Sequence, residues 1–571
     1  MIKSFHNYRN NFLNSKMTKK EHFLHNSKLL RRTMLVLAFL IPMAWMTIMR
    51  GTTFSQGENS QDGLYHAGMA ELGPSVYMSK NFQWTQMSLW HEKFADKELL
   101  YHASLDLIFR IERFFGIKVQ PPFHFAALIY MALAILAFLF TACRLHIREE
   151  WLMASSLLFC LLVPTFTFRF SLLRPHIVSI ASLMFAMGLM TLQSFKIRLL
   201  SMSIVSFVFA WTYSNPHFIV IIPIVFSLCL FPQRGKKELL IPLVALSCVL
   251  LGLLIHPQFP NSFLIWKTQS WDALISPMMK SANLSKPLEM LAPSFGFHKT
   301  TAPLYLLFWI IFVFFIRIIE HCGFRHTNPY LYSIAFLTLF FLSGTFVAAR
   351  AIEYAAPFFV LFMLLILEES DLLKINIPTL FRERKFIFTT CLFMLTILLA
   401  CYSTRLFRRD CPRVISNDIP QIREFLKENV PAGTAVVNLD WSDFPILFYY
   451  DRSHYWQWGM DPVFSFMADP NRTMMLTKTR PGYGGETYPM DIYQAFGCKY
   501  AVLLWPRVPH SSYLFESGWK LVKSFTERGK EEGWIYALDE RMLHPKPMEA
   551  KKKESILQSE EKQNAMKNNP T

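Results

Sequence analysis

Two stretches of this sequence end alike: Asp62-Gly63-Leu64-Tyr65-His66, and Glu98-Leu99-Leu100-Tyr101-His102 within the run from Asp96. Each holds an acid, one intervening residue and then Leu-Tyr-His. Asp62 and His66 are four apart, as are Glu98 and His102, and His102 and Asp106. Residues at that spacing share a face where the chain is helical. A carboxylate that accepts a proton from a substrate hydroxyl is a general base. Asp62 is the candidate for that role, and Asp96 is a second candidate or a partner to the first. His66 and His102 are supporting groups. No HExxH-type pair and no close multi-histidine spacing marks a metal site. No residue is therefore assigned to a metal and no cofactor is named, although a divalent metal stays open. The plainer readings are that Asp62, ahead of Gly63, caps a helix or makes a turn, and that the histidines are structural hydrogen-bonders.

Such groups need a frame to hold them. The chain has 571 residues, of which 52% are hydrophobic and 15% aromatic. Its apolar runs approach the roughly 20 residues that cross a bilayer, so the fold class is a polytopic α-helical membrane protein. The formal charge of +17 does not point to nucleic acid, because the basic residues cluster in short loops between apolar runs, the positive-inside pattern. The nine cysteines include no CxxC, which removes the usual zinc and redox motifs.

In chain order, a basic tail (residues 1–32) precedes a first apolar run, Thr33 to Met49, which reads as a retained anchor rather than a cleaved signal. Further spans are expected near 123–143, 151–168, 177–195, 199–214, 217–231, 239–256, 301–320, 329–347, 352–368 and 385–402, about eleven in all. The tail is then cytoplasmic, and the large loop 51–122 lies outside. Loop charge agrees. The inner loops carry Arg144, Arg148, Lys196, Arg198, Arg234, Lys236, Lys237, Arg325, Arg382, Arg384 and Lys385, whereas the short outer loops carry only Arg169, Arg174 and Arg350. The outer loops also offer His176, the turn Ser214-Asn215-Pro216-His217, His256 and Glu353. Ionisable groups at membrane depth are costly and usually face a cavity or a partner. The segment from Lys97 to Phe115 reads as an amphipathic helix on the membrane surface.

An odd span count puts the C-terminus outside. Residues 403–540 change character and read as a small extracytoplasmic α/β domain. It has a helix from Asp418 to Asn429, strands at Thr434–Leu439 and Tyr500–Trp505, and a closing hairpin from Lys520–Phe525 and Gly533–Leu538. Cys411 and Cys498 fall in it and are a possible disulfide in an oxidising compartment. Residues 541–571 have the composition of a disordered tail.

The long first outer loop with its early acid, the many helices and the outer C-terminal domain resemble the GT-C class of integral membrane glycosyltransferases. These use polyprenyl-phosphate-linked sugars, as in the protein O-mannosyltransferase and aminoarabinose transferase groups. The likeness covers roughly residues 33–540. Its sharpest motif is Asp62-Gly63-Leu64-Tyr65-His66 followed by Asp96 through His102. Those groups usually have Asp-Glu at the first acid, where this chain has Asp62-Gly63. The resemblance implies a lipid-linked sugar donor, a multi-pass protein of the bacterial inner membrane, and inverting hexosyl or pentosyl transfer. It implies Asp62 as base, and Arg174, Arg350, His176 and His217 as the groups facing the donor phosphate. Arginine suits that task through its bidentate fork. Two other classes stay open. One is a transporter or flippase of a lipid-linked saccharide, although no repeat of the span pattern is visible. The other is a non-catalytic scaffold.

Overall fold

The computed structural model describes residues 28–53, 61–273, 284, 292–373, 385–410, 419–482, 487–504, 508–527 and 530–543. Two compact units divide the chain: Met1–Ser79, Ala95–Ser270 and Lys286–Val414 form one, and Lys80–Phe94, Trp271–Ser285 and Ile415–Thr571 the other.

The first unit is helical. Its main helices are α1 (Lys28–Thr53), α2 (Gln61–Leu72), α3 (Leu99–Phe114), α4 (His124–Arg144), α5 (Glu149–Leu161), α6 (Pro164–Phe170), α7 (His176–Met190), α8 (Phe195–Phe209), α9 (Phe218–Arg234), α10 (Leu240–Leu254), α11 (Phe295–Cys322), α12 (Pro329–Gly344), α13 (Ile352–Leu373) and α14 (Lys385–Asp410). Their starts follow local chemistry. The Ser194 hydroxyl accepts from the Ile197 amide at the head of α8. Asn328 accepts from Tyr330 N ahead of α12, where Pro329 fills the first helical position.

Among the described residues, five helices are long and apolar enough to cross a membrane: Leu29–Thr53, His124–Arg144, Lys236–Leu254, Phe295–Cys322 and Ala349–Ser370. The run expected as one span at 151–168 is instead a pair, α5 and α6, bent by 84°. Pro164 has no amide to donate and starts the second piece. The pair counts as a sixth crossing if it forms one broken span. The apolar helices α7, α9 and α12 are shorter; at 1.5 Å per residue they reach about 22–26 Å, less than the ~30 Å hydrocarbon core.

Buried ion pairs tie the helices at two levels. Glu353 and Glu368 lie on α13, about 22 Å apart along its axis; the first pairs with Arg169 and Arg350, the second with Arg148 at 3.1 Å. Beside Arg148, the half-exposed Arg31 pairs with Glu149 at 2.7 Å and joins the starts of α1 and α5. Arg198–Glu238, at 2.5 Å and fully buried, joins α8 to the lead-in of α10. Arg148 and Arg198, read as inner-loop positive charges, are therefore structural partners of acids.

α3 buries Leu105, Ile108 and Phe109 and exposes Leu107, Ile111 and Phe114. An apolar stripe left uncovered beside charged neighbours is the pattern of a helix resting on a bilayer surface.

The second unit has a five-stranded mixed sheet in the order β2-β1-β3-β5-β4. Its strands are β1 (Ala435–Asn438), β2 (Tyr455–Trp456), β3 (Tyr500–Leu504), β4 (Lys520–Glu527) and β5 (Lys530–Ala537). β1 runs parallel to β2 and β3, and β5 is antiparallel to β3 and β4. Val437, Trp458, Leu503 and Trp534 are in its core. The helix Ile419–Asn429 turns Ile422, Phe425 and Leu426 inward. Asp440 and Asp461 accept from the amides of Ser442 and Val463, so both acids do turn chemistry. Cys498 is a free, buried thiol beside the Gln457 amide; Cys411, its suggested partner, lies outside the described residues, as does the tail expected to be disordered.

Candidate active site

The two similar stretches face one another. α2 presents Tyr65 and His66, and α3 presents Tyr101 and His102. His66 Nδ1 lies 2.8 Å from His102 Nε2. Each tyrosine ring stands edge-on to the other stretch's histidine, Tyr65 to His102 at 5.8 Å and Tyr101 to His66 at 5.2 Å. The shared motif thus builds a buried cluster of four rings.

Behind it stands Asp96. Its Oδ2 lies 2.6 Å from His102 Nδ1 and its Oδ1 accepts from the Glu98 amide at 3.0 Å. The Asp96 amide donates to Gln258 Oε1 at 2.8 Å, and the Gln258 side-chain amide donates to the carbonyls of Tyr77 and Ser79. A carboxylate only accepts, so it holds the His102 proton on Nδ1 and leaves the Nε2 lone pair toward His66. Asp96 is buried and fully engaged, the setting of an orienting group. Glu98, also buried, has Lys97 Nζ at 4.0 Å, and burial raises its carboxyl above the ordinary value. Burial, with the neighbouring His102 next in weight, holds the His66 imidazole well below its ordinary value, which keeps it neutral near pH 7.

Asp62 differs from Asp96. It sits in the first turn of α2 with 40% of its side chain exposed, 3.2 Å from Arg174 Nη1. Arg174 comes from the turn between α6 and α7. Arg350 donates to the Tyr213 hydroxyl at 3.2 Å and faces Glu353 at 3.5 Å; Tyr213 continues to Tyr354 at 3.1 Å. Both arginines therefore stand among protein partners, and a phosphate would have to share or displace them.

The two other expected phosphate contacts are engaged in hydrogen bonds of their own. His176 is 1% exposed, and its Nε2 donates to the Arg169 carbonyl at 2.9 Å, which ties the head of α7 to the end of α6. His217 Nδ1 accepts from Trp266 Nε1 at 3.4 Å. A small cavity beside Asp96 is lined by Lys97, Tyr213, Ser214, His256 and Trp266. Lys97 reaches Gln269 at 3.0 Å. Sequence reading overlooked Lys97, Tyr213 and Gln258. The signal available for Lys97 was a lone basic residue between two acids; nothing local distinguishes the other two.

One donor atom from each of His66, Glu98 and His102 lies within 4.8 Å of the others. These are the residues of the site whose types and placement could hold a metal ion. His66 comes from α2 and Glu98 and His102 from the head of α3, so only the Glu98–His102 half had a local spacing.

The chain has the GT-C fold of integral membrane glycosyltransferases. The oligosaccharyltransferase of Archaeoglobus fulgidus in its apo form matches 90% of this chain and 75% of its own, with a TM-score of 0.58 and 11% identity. The oligosaccharyltransferase AglB from the same organism, in complex with an inhibitory peptide and a dolichol-phosphate, matches 91% and 76%, with a TM-score of 0.56 and 11% identity. ArnT from Cupriavidus metallidurans bound to undecaprenyl phosphate matches 90% of this chain and 99% of its own, at 0.51 and 11%. No family model and no curated protein matches the sequence, so the likeness is one of fold.

Proposed function

We propose that this protein is a glycosyltransferase that moves a sugar from a polyprenyl-phosphate-linked donor to an acceptor on the extracytoplasmic face of the membrane. The observation that carries the reading is the half-exposed Asp62 carboxylate beside Arg174, next to a buried orienting network, in a fold shared with proteins that bind dolichol-phosphate and undecaprenyl phosphate. Asp62 takes the proton as the acceptor oxygen attacks the anomeric carbon. The bond from that carbon to the phosphate oxygen breaks, and the electron pair leaves on the polyprenyl phosphate. One displacement inverts the anomeric centre, through an oxocarbenium-like transition state by analogy with glycoside hydrolysis. Arg174 and Arg350 stabilise the departing phosphate, and Asp96 acts through His102. His176 and His217 have no part in this reading, because their hydrogen bonds serve the helix ends and Trp266.

The membrane arrangement proposed with it has about eleven crossings of an inner (plasma) membrane, a cytoplasmic N-terminal tail, and residues 51–122 and 403–540 outside. Loop charge supports this. The test is turnover by the purified full chain with a panel of hexosyl and pentosyl polyprenyl phosphates, read as release of polyprenyl phosphate. The expected result is release that Asp62→Asn abolishes. Failure of every donor both to bind and to turn over refutes the reading in favour of a scaffold; vesicle uptake of a lipid-linked saccharide without release favours a transporter.

A further inference from the structure

We infer that His66, Glu98 and His102 bind a divalent transition-metal ion of the zinc class, with Asp96 as the outer partner of His102. Their donor atoms converge within 4.8 Å and all three residues are buried. Two imidazoles and one carboxylate suit zinc-class ions, whereas magnesium and calcium prefer oxygen alone.

The orientation of each donor is already set. Metal-binding histidines almost always give their other ring N–H to a carboxylate, a carbonyl or water. His102 does so to Asp96 at 2.6 Å, which frees Nε2 as the donor. His66 turns Nδ1 to the same point, 2.8 Å from that nitrogen, where it donates to the Nε2 lone pair; metal binding transfers this His66 proton to its own Nε2 or to solvent. With zinc–nitrogen bonds of about 2.0–2.1 Å, two tetrahedral nitrogen donors stand roughly 3.3 Å apart. Admitting the ion therefore requires the two nitrogens to part by about half an ångström and both rings to tilt so that their lone pairs converge on it. Glu98 is tied to both neighbours: its amide donates to Asp96 Oδ1 at 3.0 Å, and its carbonyl accepts from the His102 amide at 3.0 Å. A bound cation would offset the burial of its carboxylate, for which Lys97 Nζ stands 4.0 Å away. The rings of Tyr65 and Tyr101 wall the site. Three protein ligands leave a fourth position for water or a substrate oxygen. The duplicated Leu-Tyr-His ending thus supplies one imidazole from each copy.

The inference rests on the geometry of these four residues and not on glycosyl transfer, so metal binding is measured without turnover. The full chain is purified in detergent, stripped with a chelator and titrated with zinc, with bound metal counted by mass spectrometry. Cobalt is used in parallel for the visible bands of a four-coordinate site. About one equivalent is expected. His66→Ala, His102→Ala and Glu98→Gln should each abolish the site while the protein still elutes as one species; Asp96→Asn should weaken affinity about 10–100-fold. His326→Ala, at an exposed histidine elsewhere, should bind as wild type. Wild-type protein that takes up neither ion overturns the inference whatever the variants do. So does uptake that the two histidine variants leave unchanged, and the cluster is then a hydrogen-bonded relay alone.

Discussion

Replacing Asp62 and Asp96 by asparagine should produce opposite profiles in stability and turnover. Asp62 is 40% exposed and forms an ion pair with Arg174 at 3.2 Å. An exposed pair of this kind contributes about 0–1 kcal/mol, and a carboxylate in the first turn of a helix adds about 0.3–1 kcal/mol over a neutral group. Asp62→Asn should therefore lower stability by no more than about 2 kcal/mol. Turnover should fall by about 10²–10⁴, the usual share of a general base, while donor affinity changes far less. Asp96 is buried and accepts from both His102 and the Glu98 amide. Asparagine has one acceptor where the carboxylate has two, so one of these contacts must invert or be lost. A hydrogen bond to a charged group is worth about 1.5–3 kcal/mol, and a stability loss of that size is expected. Asp96→Asn should slow turnover less than Asp62→Asn, because it acts only through His102. Thermal unfolding in detergent and release of polyprenyl phosphate under saturating donor measure the two quantities. Normal turnover by Asp62→Asn with inactive Asp96→Asn moves the base to Asp96. Normal turnover in both removes acid–base catalysis from this loop.

Arg174→Lys and Arg350→Lys keep the charge but lose the bidentate fork, so donor turnover should fall about tenfold or more with folding preserved; normal turnover in both denies these residues a phosphate role. Glu112, on the buried side of α3, is pushed up to about 7 by burial. A carboxyl raised in the folded state favours folding below its unfolded value near 4.5 and loses that contribution as pH rises through 7. Glu112→Gln should thus flatten the decline of the unfolding temperature between pH 5 and 8, with a gain of up to roughly 3 kcal/mol at pH 8; an unchanged pH slope refutes this. Cysteines placed at the exposed positions Lys118 and Ser512 should both react with an impermeant maleimide from the non-cytoplasmic side. Labelling at only one breaks the proposed span count.

Length and period of apolar runs are local properties, which is why the sequence alone determined a helical membrane protein and the amphipathic α3. It also singled out Asp62, His66, Glu98 and His102, because their types and four-residue spacing repeat, and Asp96 as the acid that opens the second stretch. What it could not determine is who meets whom. His66 and His102 stand 36 residues apart on different helices, and their contact at 2.8 Å exists only once α2 packs on α3. Gln258, 162 residues beyond Asp96, locks that acid from a distant turn. The bend at Pro164 turned one expected span into two pieces, and packing drew His176 onto the Arg169 carbonyl rather than into the open. A local pattern states what a residue can do; burial and through-space partners decide which of its options is stable, and those depend on the packing of every helix at once.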